Sequence, residues 1–104
     1  MTTPAAELGG LVAAFERAEL EERPTLPLLD ALEAAGAVAA APELARGDRE
    51  ARLLAARVME LLPDESYVPA LAALMRDADP AVAEAARTAF AGQRRTPEWH
   101  AVAE

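Results

Sequence analysis

Three observations predict an all-α fold, a short right-handed superhelix of antiparallel helix pairs with a capping helix at its N-terminal end. Alanine supplies roughly a quarter of the 104 residues, Leu, Glu and Arg are plentiful, Ile is absent, and aromatic residues are only 4%. This is helix-forming material with almost nothing that favours strands. Apolar residues recur at three- and four-residue spacing through most of the chain. The chain also matches itself when shifted by 31 positions: Leu44 falls on Met75, Asp48 on Asp79, Ala51 on Val82, Ala55 on Ala86 and Met59 on Phe90. A two-helix unit repeated at this period cannot bury its apolar face alone and must stack on its neighbours.

Residues 1–104 make one domain, long enough to bury roughly 65% of the unfolded surface but not to build a second core. Residues 1–37 hold less regular N-terminal helices, and residues 38–104 hold the repeats. In order along the chain, a helix from about Pro4 to Leu20 carries Leu8, Leu11, Val12 and Phe15 on one face, weakened by Gly9 and Gly10. A second, from about Thr25 to Ala35, aligns Leu28, Ala31, Leu32 and Ala35. "GAVAAAPELARG" holds one or two short helices between Gly36 and Gly47. From Asp48 to Leu62 the stripe is Ala51, Leu54, Ala55, Val58 and Leu62, ended by "LLPDES".

The helix from about Ser66 to Arg76 is expected to bury Val68, Leu71, Ala72 and Met75, with Leu74 at the edge. The next, Pro80 to Ala91, buries Val82, Ala85, Ala86 and Ala89, with Phe90 flanking, and Gly92 is expected to stop it. Asp79 followed by Pro80, and Thr96 followed by Pro97, read as helix starts, because a side-chain oxygen can accept from an orphaned amide and Pro suits the first turn.

"DPAVAEAARTAF" (Asp79 to Phe90) and, more loosely, "DREARLLAARVM" (Asp48 to Met59) resemble the first helix of a HEAT repeat. "YVPALAALMRD" (Tyr67 to Asp77) resembles its second helix. The likeness spans about residues 38–104 and is nearest to the short bacterial type that includes the lyase-like HEAT repeats. It implies a solenoid in which the second helix of each pair lines the concave side. An arginine of the family pattern stands as Arg52 in one unit but as Ala83 in the next, so an arginine–aspartate ladder between units would break there.

The net charge is −8, with eight acids against two arginines in residues 1–45 and ten against eight in the remainder. Such a chain repels phosphate backbones and anionic lipid, so neither nucleic acid nor membrane is an expected partner. All ten basic residues are Arg, which reads either as the codon bias of a GC-rich genome or as selection for bidentate contacts. Cysteine is absent, excluding disulfides and thiolate metal sites. The apolar run "LGGLVAAF" is too short to span a bilayer and follows no basic residue. A cytoplasmic protein is expected.

With one His and no Cys, no His–metal cluster or Cys–His pair can be built within the chain. Glu19, Glu21 and Glu22 point in different directions from a helix and read as a solvated helix end rather than a cation site. No catalytic residues, no metal and no cofactor are expected, and the chain reads as a non-enzyme. The leading expectation is a non-catalytic protein–protein interaction module or scaffold subunit whose partner, another protein, meets Pro69, Ala70, Ala73 and Asp77. These residues lie opposite the expected buried stripe of their helix and would leave a shallow groove.

One alternative, which the lyase-like resemblance implies, is an accessory or ligand-chaperone protein holding a small molecule against Arg49, Arg52 or Arg76. The other is a structural homo-oligomer through the C-terminal edge, where the repeat register makes Trp99 a core plug and puts His100 on the surface. Leu53 points away from its own stripe, so it either touches the N-terminal helices or is an exposed contact point.

Overall fold

The structure, a computed structural model, describes residues 4–93. Those residues are mostly helical and, among them, no strand occurs: α1 spans Pro4–Leu20, α2 Leu26–Ala34, α3 Ala37–Leu44, α4 Arg49–Leu61, α5 Val68–Leu74 and α6 Pro80–Gln93, with a 3₁₀ turn at Glu65–Tyr67 leading into α5. The Thr96–Pro97 helix start, Trp99 and His100 lie outside the described residues, as does the homo-oligomer edge built on them.

Aspartates set the helix starts. The Asp48 carboxylate accepts the Ala51 N–H at 2.9 Å, and the Asp79 carboxylate accepts the Ala81 N–H at 2.9 Å. Each satisfies an amide that the helix geometry leaves unpaired. Asp64 likewise accepts the Ser66 N–H at the 3₁₀ turn. Chain reversals rely on backbone shape instead. Gly36, at φ 80°, turns the chain between α2 and α3, a left-handed conformation that glycine adopts without a Cβ penalty. The expected stop at Gly92 does not occur. α6 runs on through Gln93, and among the described glycines only Gly36 takes the positive φ that such a stop requires.

α4 lies at the centre. It packs most extensively on α6 and then on α3, with α1 along its other flank and α5 bridging to α6. Glu16 meets Arg57 at one end of the α1–α4 seam, and Ala5, Ala6 and Gly9 face Gly47 to Leu54 at the other, so α1 and α4 run in the same direction. The core joins Leu8, Val12, Leu32, Ala55, Val58, Met59, Tyr67, Leu71, Leu74, Val82, Ala86 and Ala89. A helix enclosed on several sides buries more than one stripe. α4 accordingly encloses Ala55, Ala56, Val58 and Met59 completely, while Ala51, Leu54 and Leu62 stay half-buried.

The inward face of α5 differs from the sequence expectation. Tyr67, Leu71 and Leu74 are buried at i, i+4 and i+7, Val68 and Met75 are half-buried, and Ala72 is exposed. Tyr67 is the largest fully enclosed side chain. Its ring enters the core from the 3₁₀ turn, on the same face as Leu71 and Leu74.

Candidate docking surfaces

The seam between α4 and α6 carries the densest charge pairing. Arg49, in the first turn of α4, binds the Asp79 carboxylate through Nε and reaches Glu50 at 3.4 Å. Arg52, one turn on, brings Nε to 2.9 Å from the Asp77 carboxylate and donates through a terminal nitrogen to the Gly47 carbonyl at 3.0 Å. Nε is buried and makes no hydrogen bond despite that approach, so the Arg52–Asp77 attraction is chiefly Coulombic. Hydrogen bonding from Arg49, and next from the Ala81 N–H, holds the Asp79 carboxyl below its ordinary range, and the same contact raises Arg49. Two of the three guanidiniums named as possible ligand contacts are therefore engaged by carboxylates. Arg76 is exposed and forms no ion pair among the described residues.

Three of the four residues named as a partner surface come together. Pro69, Ala70 and Ala73 of the 3₁₀–α5 segment line a depression of about 260 Å³ with Ser66 and with Pro42, Ala45 and Arg46 across the gap. The sequence placed Ala70 and Asp77 opposite the buried stripe, and here the placement changes. Ala70 is half-buried against the core, and the Asp77 side chain, 15% exposed, faces Arg52 instead of the depression. Pro42, Ala45 and Arg46 carry no sign in the sequence of belonging to this surface, because they reach it only through the placement of α3 beside α5.

A larger groove, about 690 Å³, runs between the start of α1 and the first half of α4. Ala5, Ala6 and Gly9 form one wall, and Ala51, Leu53, Leu54 and Arg57 the other, with Gly47, Asp48 and Glu50 at one end. Leu53 thus does face the N-terminal helix: it is half-buried, packs partly on the core and lines the groove. A Cβ placed on Gly9 would meet nothing within 4 Å. Arg57 makes ion pairs with Glu16 at 3.0 Å and with Glu60.

Among the described residues no group of three or more His, Asp or Glu side chains is arranged to hold a metal ion, and no helix is long and apolar enough to cross a membrane. Glu21 pairs with Arg23 at 2.9 Å, while Glu19 and Glu22 are exposed. No family model, no curated protein and no solved structure matches the chain.

Proposed function

We propose that the chain is a short HEAT-like stack of helix pairs that works as a non-catalytic protein-binding module. The stacking is supported by equivalence across the 31-residue shift. Asp48 and Asp79 both cap helices, Ala55 and Ala86 are both fully buried, as are Val58 and Ala89, and the two helices concerned pack on one another. The resemblance of Asp79–Phe90 and Tyr67–Asp77 to the two helices of a HEAT repeat points the same way.

The observation that carries the binding role is the depression between α3 and α5. It lies on the helix that lines the concave side in HEAT-like proteins, and its small side chains let a partner's backbone approach closely. The test is affinity capture from the native host on the full chain and on Ala73→Arg, an exposed site where the added side chain fills the depression without entering the core. A protein held by the wild type and lost from an equally stable variant is the expected result. Identical captures on both, or recovery of nothing but the chain itself, would overturn the reading.

A further inference from the structure

We propose that the α1–α4 groove is a second docking surface, whose occupant is an amphipathic helix of a partner protein carrying lysines or arginines beside its apolar face. The inference rests on the reading of the chain as a protein-binding module, but not on the depression between α3 and α5.

The groove is apolar along its walls, with Ala5, Ala6, Ala51, Leu53 and Leu54, and has a volume of about 690 Å³. Gly9 keeps it open. Glycine inside a helix costs about 1 kcal/mol relative to alanine, and no neighbour within 4 Å would obstruct a Cβ at this position. No contact within the described residues requires glycine here, and its missing side chain leaves this stretch of the wall low.

Charge selects the kind of helix. At one end stand Asp48 and Glu50, the latter with its side chain 84% exposed. Arg49 touches Glu50 only at 3.4 Å and is held more closely by Asp79. At the other end the single cation, Arg57, is met by both Glu16 and Glu60. Both lips thus present an excess of carboxylate around an apolar floor, which favours an occupant with cationic flanks. A helix suits the groove because it satisfies its own N–H and C=O groups without help from the walls, and no sheet edge among the described residues offers an extended segment a strand to pair with.

The experiment uses the full chain and three synthetic peptides: an amphipathic helix with leucines at i, i+3, i+4 and i+7 flanked by lysines, its twin with glutamates in place of the lysines, and a scrambled sequence of the same basic composition. Binding is followed by fluorescence anisotropy and mapped by backbone amide chemical shifts. The basic amphipathic peptide should bind at least roughly tenfold more tightly than either control, shift Ala6, Gly9, Gly47, Leu53 and Leu54, and weaken with added salt.

Gly9→Leu fills the groove from a position with open space, and should abolish that binding while leaving the melting temperature unchanged or raised. Glu50→Lys should reduce it and improve the acidic twin. Equal binding of the scrambled peptide, preference for the acidic twin, absence of binding at millimolar peptide, or occupation of the groove by a second copy of the chain would each overturn the proposal. If the shifts map to Ser66, Ala70 and Ala73 and are lost in Ala73→Arg but not in Gly9→Leu, this groove is excluded while the binding-module reading stands.

Discussion

Arg49 of α4 grips the carboxylate of Asp79, the residue that starts α6, so one side chain both caps a helix and ties it to its neighbour. The pairing depresses the Asp79 pKa. A carboxyl that is more acidic in the folded state stabilises the fold above its unfolded value, about 4, and that contribution is lost as the pH falls through the folded value. Wild type should therefore melt above Asp79→Asn at neutral pH, with the gap closing below about pH 4. Thermal melts of both proteins across that range check it, and a gap that stays constant on acidification would refute it.

Tyr67 presents the opposite situation. Its side chain is fully enclosed, and its hydroxyl has no hydrogen-bond partner among the described residues. Burial first, and the charge of Asp64 second, push the phenol above its ordinary value. Since an unpaired buried hydroxyl costs about 1–3 kcal/mol, Tyr67→Phe should leave stability unchanged or raise it by about 1 kcal/mol. Tyr67→Ala should lose about 3–5 kcal/mol to the cavity. Wild type, unlike Tyr67→Phe, should also lose stability as the pH rises past about 10, where the unfolded phenol ionises. Denaturant titrations of the three proteins decide the matter, and a clear loss in Tyr67→Phe would mean that the hydroxyl is paired.

Glu22 follows α1 at φ 56°, the only non-glycine with positive φ among the described residues. Around it the Arg23 N–H bonds the Ala18 carbonyl at 2.8 Å and the Glu22 N–H bonds the Glu19 carbonyl at 3.2 Å, the paired arrangement by which helices commonly end on glycine. Glu22→Gly should stabilise the protein by about 1 kcal/mol by relieving the left-handed strain, read as an upward shift in melting temperature. A loss of stability would show that the exposed glutamate contributes more than its backbone costs.

Gly47 has a steric role. A Cβ there would come within 2.8 Å of the Ala51 Cβ and 3.3 Å of the Leu44 carbonyl, at the turn whose own carbonyl receives Arg52. Gly47→Ala should cost about 1–3 kcal/mol through forced backbone movement, whereas Gly10→Ala, with nothing within 4 Å, should gain about 1 kcal/mol. Equal effects at the two positions would contradict the close approach.

Much of this fold was legible before the structure. The bounds of α1, the Asp79 start of α6, and the register linking Asp48 to Asp79 and Ala55 to Ala86 are interactions within a few residues or repetitions of them, and spacing reveals both. α5 shows where that legibility ends. With seven residues, its stripe of Leu and Ala fits more than one rotation, and the one found buries Leu71 and Leu74 beside Tyr67. Gly92 shows the same limit, since glycine permits a helix to stop but does not compel it.

The sequence by itself determined the all-α class, the aspartate that starts α6, the acidic charge and the near-repeat of one helix by another, because these depend on local geometry and composition. Tertiary structure alone decided that Arg49 and Arg52 meet Asp79 and Asp77, that Asp77 turns away from Pro69 and Ala73, and that Gly9 opens onto Leu53 and Leu54. The contacts that set these relationships join residues some twenty-five to forty-five positions apart. They are set by how whole helix faces pack, and no single side chain's spacing encodes that packing.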